Sequence, residues 1–197
     1  MSSRISLPDM QRAGFPMGGE PLVALDLADT VTASDGELLT SPGRSGDWWD
    51  LQLPSLPGSV APQVVPTRRL RTAIRDLLEA HLDGRTPASE SVEEVNAAAA
   101  SVPTSPRLPE GPAAPSTRWH SEYGGNVALA AVAREVIELF GDPARLARLR
   151  RCANPECTML FLATNRRRQW CAGNVCGNRT RVARHYRRVH PSTEEQK

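Results

Sequence analysis

Four cysteines, arranged as two identical pairs, constrain this chain more than any other feature of its sequence. Cys152 and Cys157 form one C-x4-C motif, Cys171 and Cys176 form the other, and thirteen residues separate the two pairs. Zinc prefers a tetrahedron of four ligands, and thiolates are soft, negatively charged donors for it. In a reducing compartment such pairs are metal ligands more often than disulfides. The spacing therefore predicts one structural zinc ion held by all four cysteines, with disulfides or free thiols as the alternative.

The closed ligand set and the small size of the cysteine segment both have consequences. Four thiolates leave no position for a water molecule, so hydrolytic chemistry is not expected at this site. A segment of about 40 residues buries too little surface to fold alone, and bound metal contributes on the order of 10 kcal/mol to such modules. Within the segment we predict a hairpin in which residues 159–162 pair with residues 169–170 through a turn at Ala163–Arg168.

An arginine-rich helix is predicted directly after Cys176. At about 100° per residue, Val182, Tyr186 and Val189 lie on one narrow side of this helix and are expected to pack on the hairpin. Arginine is suited to contacts with phosphate and guanine. The candidate nucleic-acid-binding residues, on this helix and at the predicted turn, are Arg166, Arg167, Arg168, Arg179, Arg181, Arg184, Arg187 and Arg188. A charged helix face that meets only solvent is the alternative.

Charge is distributed unevenly along the chain. Residues 1–140 contain 11 arginines and 18 acidic residues, a net charge of −7, whereas residues 141–190 contain 12 arginines and two acidic residues, a net charge of +10. Such asymmetry is typical of an acidic body that carries a basic module for nucleic-acid contact. No apolar run has the form of a signal peptide or a membrane helix, so we expect a cytoplasmic protein without membrane contact.

Apart from the cysteine segment, the sequence predicts a mainly helical protein. We expect a disordered tail over residues 1–18, a helical body over residues 19–141, the zinc module over residues 142–190 and a second tail over residues 191–197. Periodic apolar residues predict helices over residues 21–31, 68–83, 88–102, 127–140 and 143–151, and a hairpin that pairs residues 105–108 with residues 117–123. The last helix runs into Cys152, so the join between the body and the zinc module is predicted to be helical.

Charged and polar residues on the body helices are expected to face solvent. This interpretation covers three residues of the first body helix, Asp26, Asp29 and Thr30. The next long helix, which we expect Thr67 to cap and Gly84 to end, has four arginines in its first half, where the helix dipole disfavours them. Their placement favours specific partners, but a solvated face is our main interpretation for Arg68, Arg69, Arg71 and Arg75.

Three tryptophans raise the question of a ligand pocket in the body. Trp48 and Trp49 stand side by side in a stretch that is rich in Ser and Gly. In our main interpretation they lie on a short helix and their indoles fill the edge of the core. In the alternative they form, together with Trp119, an aromatic wall of a pocket for an unidentified small molecule.

The cysteine segment resembles the CGNR zinc finger of bacterial proteins. The resemblance rests on RCANPEC, LFL, WC and CGNR, which stand in this order between Arg151 and Arg188. In that family the finger follows a domain called ABATE, described as a putative stress-induced transcription regulator, and the body is similar to it in VALDLADT, the tryptophan pair and LRTAIRDLL. The resemblance implies that the zinc ligands are Cys152, Cys157, Cys171 and Cys176.

These observations favour a mainly α protein with a small β-hairpin: a helical N-terminal body and a C-terminal four-cysteine zinc finger of treble-clef-like or knuckle type. The function that we expect is transcription regulation, in which the finger contacts DNA and the body senses a signal or forms a homodimer. The alternative is a zinc-stabilised module for RNA or protein contact without sequence-specific DNA binding. No nucleophile–base pair, phosphate loop or open metal site is visible, so an enzyme is not expected.

Overall fold

Helices make up about half of the structure, and its strands are short and antiparallel. The computed structural model describes residues 4–16, 18–111 and 114–189, apart from the side chain of Arg187. Its helices are α1 (Leu7–Arg12), α2 (Val23–Ala28), α3 (Pro42–Gln52), α4 (Val64–Asp83), α5 (Ser89–Ala100), α6 (Val127–Phe140), α7 (Pro143–Leu146) and α8 (Asn178–Val189). Its strand pairs are β1 (Val31–Thr32) with β2 (Gly36–Glu37), β3 (Thr104–Arg107) with β4 (Ser116–Trp119), and β5 (Leu149–Arg151) with β6 (Leu160–Leu162).

The core of the body lies between α2, α4 and α6, with α3 packed on α4 and with α5 packed on α4 and α6. Leu25 and Ile74 are fully buried there. Trp48 and Trp49, both on α3, are fully buried as well, and their rings meet edge to face with centroids 4.8 Å apart. Trp49 Nε1 donates a hydrogen bond to Thr67 Oγ1 at 3.0 Å. The two indoles therefore fill the core, as our main interpretation predicts.

The N-terminal segment packs on the body. A disordered tail over residues 1–18 is therefore wrong for the part that the structure describes, which excludes residues 1–3 and Met17. This segment forms α1, and Met10 and Phe15 are fully buried. Both side chains pack on residues distant in sequence, and such contacts have no signature in the local pattern on which the prediction rested.

α2 is shorter than the helix predicted over residues 21–31. All of its residues are buried, and the chain then turns into the β1–β2 hairpin. The expectation that Asp26, Asp29 and Thr30 face solvent is wrong, because all three are buried. The carboxylate of Asp26 accepts hydrogen bonds from two backbone N–H groups at 3.1 Å each, which satisfies donors that burial would otherwise leave unpaired.

α4 begins at Val64, before the predicted cap at Thr67, whose Oγ1 instead donates to the carbonyl of Gln63 at 2.7 Å. The helix ends at Gly84 as predicted, because this residue adopts a left-handed conformation with φ of 65°. The solvated face predicted for its arginines is wrong, since every one of them has an acidic partner. The ion pairs are Arg68 and Arg71 with Glu37, Arg69 with Glu94, and Arg75 with Asp29 and Glu79.

The second half of the body follows the sequence prediction closely. β3 and β4 pair in antiparallel register, with Pro106 opposite Thr117, as the predicted hairpin requires. The strand predicted up to Tyr123 is shorter, because β4 ends at Trp119 and Ser121–Tyr123 form a 3-10 turn. Asn126 caps α6, and its Oδ1 accepts a hydrogen bond from the N–H of Leu129 at 3.1 Å. These elements were predictable because their turn, cap and apolar stripe all lie within a few residues of one another.

The join between the body and the zinc module is a strand and not the predicted helix. α7 ends at Leu146, and the chain continues as β5, which pairs with β6 so that Arg150 faces Phe161. The predicted pairing of residues 159–162 with residues 169–170 is therefore wrong. All three residues of β6 are buried, and this strand places the first pair of cysteines against the body.

Candidate metal centre and basic helix

The four cysteine sulfurs come together in one cluster. The Sγ atoms of Cys152, Cys157, Cys171 and Cys176 all lie within 4.8 Å of one another. Cys157 and Cys171 are 3.8 Å apart between Sγ atoms, and Cys171 and Cys176 are 3.6 Å apart. A zinc tetrahedron with Zn–S bonds of about 2.3 Å has edges of about 3.8 Å. The cluster therefore fits one structural zinc ion with all four cysteines as ligands.

Each cysteine lies where a backbone element begins or ends. The N–H of Cys152 extends the β5–β6 ladder by donating to the carbonyl of Met159, the residue before β6, at 3.0 Å. The N–H of Cys157 closes a tight turn on the carbonyl of Asn154 at 2.9 Å. Cys171 precedes the π-helical turn Gly173–Gly177 and Cys176 lies within it, and α8 begins at Asn178, where this turn ends. The ion would thus join β5, the first turn and the start of α8.

The charge of the cluster also favours a metal ion. A hydrogen bond from Cys157, together with one from Cys171, lowers the pKa of Cys152, whereas the hydrogen bonds to Cys152 and Cys157 raise the pKa of Cys171. The sulfurs therefore compete for negative charge when nothing balances it. A divalent cation ends this competition, because it holds every ligand as a thiolate.

Two buried carboxylates of the body join it to the zinc module, at a contact that we call the seam. β6 pairs with β5 along one edge and presents its other edge to the body. Both oxygens of Asp29 accept from the N–H of Leu160, at 3.0 and 3.1 Å, and Glu20 Oε2 accepts from the N–H of Leu162 at 3.1 Å. Buried N–H groups are costly to leave unpaired, so the carboxylates take the place of a neighbouring strand.

Arginines balance the charge of the seam. Arg75 Nη1 lies 2.8 Å from Asp29 Oδ1, and Arg168 Nη2 lies 2.6 Å from Glu20 Oε1. Burial nevertheless raises the pKa of Glu20 and Asp29 above their ordinary values, and it raises the pKa of nearby Asp26 to about 7. The seam is thus a desolvated network in which each carboxylate depends on its partners.

Arg168 belongs to the seam and not to an exposed basic cluster. Besides Glu20, its guanidinium donates to the carbonyls of Leu162 at 3.1 Å and Cys171 at 2.6 Å. It also lies over the ring of Phe161, 4.4 Å from the centroid. This group bridges the body, β6 and the second cysteine pair, so the nucleic-acid contact predicted for Arg168 is replaced by a structural role. Arg166 and Arg167, by contrast, are exposed.

α8 presents unpaired arginines. Arg179, Arg184 and Arg188 are exposed, and none of them has a hydrogen bond or ion pair within the described part of the chain. Arg181 is exposed too, but it donates to Asn178 Oδ1 and helps to hold the first turn of the helix. The side chain of Arg187 lies outside the described residues. α8 therefore brings together three of the predicted basic residues in an uncompensated state.

The apolar stripe of α8 is exposed. Val182, Tyr186 and Val189 are 67%, 64% and 55% exposed, so the prediction that they pack on a hairpin is wrong. The physical reason is that β6 packs against the body and β5, which leaves no sheet surface for α8 to cover. α8 is held at its start, by Cys176 and the turn before it, and its other described side chains face outwards.

The three tryptophans lie apart from the cavity nearest to the metal centre. Trp48 and Trp49 are in the core, and Trp119 lies on β4 under the guanidinium of Arg134, 4.6 Å from its ring centroid.

A cleft of about 330 Å³ opens between the β1–β2 turn and the cysteine cluster. Sequence reasoning missed this cleft, because its walls are about 125 residues apart along the chain and only the seam brings them together.

The fold and the cysteine cluster define a zinc-binding protein with a helical body and a C-terminal zinc finger. Two family models match the chain: ABATE, described as a putative stress-induced transcription regulator, over residues 22–143, and the CGNR zinc finger over residues 148–189. The chain therefore belongs to the ABATE family and carries a CGNR zinc finger, in the order that the resemblance predicts. No curated protein matches it. Among the described residues, no helix is long and apolar enough to cross a membrane.

Proposed function

We propose that this protein is a cytoplasmic transcription regulator whose α8 contacts double-stranded DNA. One observation carries the proposal: Arg179, Arg184 and Arg188 project from α8 without any partner among the described residues. Arginine binds phosphate and guanine through two parallel hydrogen bonds, and a row of uncompensated guanidinium groups attracts a polyanion. The family description supports a role in transcription.

The attachment of α8 suits insertion into a groove. The helix has 12 residues and is therefore about 18 Å long. It is anchored at its start by the metal centre, and its described side chains beyond the first turn are exposed, so DNA can approach without displacing packed residues. The major groove of DNA, about 12 Å wide, admits one helix.

The body supports this role by holding the zinc module in place. The seam connects α2 and α4 to β6, so a ligand or a second copy of the chain that shifts these helices would also shift the module. We propose that the body senses a signal or forms a homodimer in this way. The protein would act by binding and not as an enzyme, because four thiolate ligands close the metal centre to substrate.

A second candidate, single-stranded RNA, is favoured by the exposure of Tyr186. The helical spacing predicts that this side chain packs on a hairpin, but the structure leaves it 64% exposed. Exposed aromatic rings stack on unpaired bases and add about 1–3 kcal/mol per base. A protein partner on the same helix is the remaining alternative.

Binding to random-sequence duplex, measured by fluorescence anisotropy on the zinc-loaded full chain, tests the proposal. The double variant Arg184→Ala/Arg188→Ala should reduce the slope of log affinity against log salt by about 2, because each lost phosphate contact removes about 0.9. The control Arg12→Ala/Arg107→Ala removes the same charge from exposed positions of α1 and β3.

The outcomes separate the candidates. Equal losses in the two double variants, or no duplex binding at low salt, would contradict DNA contact through α8. A preference for single strands that Tyr186→Ala abolishes would favour RNA. Capture of a protein that survives nuclease treatment, with no nucleic-acid binding, would favour a protein partner.

A further inference from the structure

The four cysteines differ in their access to solvent. Cys152 and Cys176 are 7% and 5% exposed, whereas Cys157 and Cys171 are half-buried. Both half-buried cysteines, Cys157 and Cys171, line the cleft between the β1–β2 turn and the cysteine cluster; Cys176 also lines it but is buried, and Cys152 does not line it. A small molecule that enters this cleft therefore meets sulfur atoms before it meets the core.

The walls of the cleft allow a small polar reagent to enter. The body contributes residues 32–35, among them the hydroxyl groups of Thr32 and Ser34 and the carboxylate of Asp35. The zinc module contributes Met159 and the guanidinium of Arg179, which has no partner among the described residues. At about 330 Å³ the cleft is far larger than a hydrogen peroxide molecule, which has about the size of a water pair.

We propose that Cys157 and Cys171 form an oxidation site, at which a hydroperoxide converts two zinc ligands into a disulfide and so releases the metal. Their Sγ atoms are 3.8 Å apart. A disulfide bond of about 2.05 Å requires the two sulfur atoms to approach each other by about 1.8 Å. The disulfide would join the two C-x4-C motifs.

The reaction balances with the hydroperoxide as the oxidant. The thiolate of one cysteine attacks a peroxide oxygen, so that an S–O bond forms, the O–O bond breaks and hydroxide leaves. The second thiolate attacks the sulfenic sulfur, so that the S–S bond forms, the S–O bond breaks and a second hydroxide leaves. Two protons from solvent convert the hydroxides to water. Two thiolates are oxidised, and one peroxide is reduced.

Loss of two ligands has a structural consequence at α8. Cys152 and Cys176 alone cannot complete the tetrahedral site that a structural zinc ion needs. α8 begins at Asn178, directly after the π-helical turn that contains Cys176, and its described side chains beyond the first turn are exposed, so its direction depends on the intact cluster. Where α8 contacts DNA, as proposed above, oxidation would therefore weaken that contact. This last step rests on the proposed function, whereas the oxidation and the zinc release do not.

Peroxide treatment of the zinc-loaded full chain tests the oxidation site directly. Released zinc is followed with a chromogenic chelator, and the remaining thiols are alkylated and mapped by mass spectrometry. We expect two thiols lost for each zinc ion released, a crosslink between the peptides of Cys157 and Cys171, and recovery of zinc binding after reduction. Retention of zinc in excess peroxide, or a crosslink that involves Cys152 or Cys176, would overturn the proposal.

A substitution in the wall of the cleft tests access without touching a ligand. Ala33→Phe in the β1–β2 turn narrows the cleft, and we expect zinc release at least about threefold slower with unchanged zinc content, since access governs thiol oxidation. The control is Ala144→Phe on α7, an exposed residue outside the cleft. Equal release rates in the two variants would contradict entry through the cleft.

The same samples separate this proposal from the proposed function. Zinc release with the expected crosslink, in a protein whose reduced form binds no nucleic acid, would support the oxidation site and contradict DNA contact. Duplex binding by a protein that keeps its zinc in peroxide would support DNA contact and contradict the oxidation site.

Discussion

The arginines of α4 and those of α8 lie on helices of similar polarity but have opposite environments. On α4 every arginine has an acidic partner, and Arg71 forms two hydrogen bonds to Glu37, at 2.6 and 2.8 Å. On α8, Arg179, Arg184 and Arg188 have no partner in the described part of the chain. The difference follows from composition: 18 acidic residues lie in positions 1–140, but two lie in positions 141–190.

The function of an arginine-rich helix therefore depends on its surroundings and cannot be inferred from the helix alone. The charges of α4 are paired within the molecule, and Arg75 compensates the buried carboxylate of Asp29. Those of α8 remain available to a polyanion. Arg168 shows that the boundary does not follow the sequence, because it lies in the basic module and yet pairs with the body through Glu20.

Metal removal should produce the largest effect and separates the two regions most sharply. An excess of chelator, or Cys171→Ser, should unfold the zinc module, because the ligand cage contributes on the order of 10 kcal/mol to a module of this size. The body should retain most of its helicity, since α2, α4 and α6 pack mainly on one another. Hydrogen exchange should show loss of protection in β6 and α8 but not in α6. Unchanged zinc content and circular dichroism in Cys171→Ser would contradict the ligand assignment.

Removal of one arginine from each helix gives the next largest effect. Arg75→Ala leaves the buried carboxylate of Asp29 without its cation and should lower the free energy of unfolding by about 3 kcal/mol. Arg184→Ala removes an exposed charge and should change it by less than about 0.5 kcal/mol. Urea unfolding of the zinc-loaded variants measures both. Equal stability of the two variants would contradict the assignment of Arg75 to a buried ion pair and of Arg184 to an exposed position.

The sequence predicted those features whose signals are local. The four cysteines have the number, spacing and chemistry of a zinc site, and α6 has a cap at Asn126 followed by an apolar stripe. The hairpin of β3 and β4 has its turn within the same stretch of chain. The α4 helix ends at Gly84, where a left-handed conformation is needed. In each case the decisive residues lie close together in the sequence.

The features that escaped prediction depend on contacts between distant parts of the chain. The helical pattern after Pro143 gives way to β5, because a strand there can pair with β6. Asp29 has the appearance of a solvated helix residue, but it accepts from the N–H of Leu160, 131 residues away. The stripe of α8 has the spacing of a packed face, but its three side chains are more than half exposed. Neither the periodicity of apolar residues nor the distribution of charge indicates which distant residues come into contact.

A pH dependence from Asp26 tests the desolvation of the body acids. Burial raises the pKa of Asp26 from 3.8 to about 7, so the folded protein keeps a proton that the unfolded chain loses near pH 4. The unfolded state then binds fewer protons, and stability falls as the pH rises towards 7. Between pH 5.5 and 8 this group should lower the free energy of unfolding by about 2 kcal/mol.

The readout is the difference in stability between wild type and Asp26→Asn, because any effect of pH on zinc binding is common to both. As the pH rises from 5.5 to 8, the wild type should lose free energy of unfolding relative to the variant. Asp9→Asn is the control, since the side chain of Asp9 is only partly buried and its pKa is lowered, so that it stays ionised throughout this range. A constant difference for Asp26→Asn would show that its carboxyl group does not titrate between pH 5.5 and 8 in the folded protein.

The smallest effect is expected at the apolar stripe of α8, and it distinguishes an exposed face from a packed one. Val132 on α6 is fully buried, whereas Val182 is 67% exposed. Val132→Ala should cost about 2 kcal/mol through lost burial and the cavity left behind. Val182→Ala should change the free energy of unfolding by less than about 0.5 kcal/mol, because alanine favours helices and no contact is lost. Equal costs, with a dependence on protein concentration, would mean instead that α8 packs against a second copy of the chain in solution.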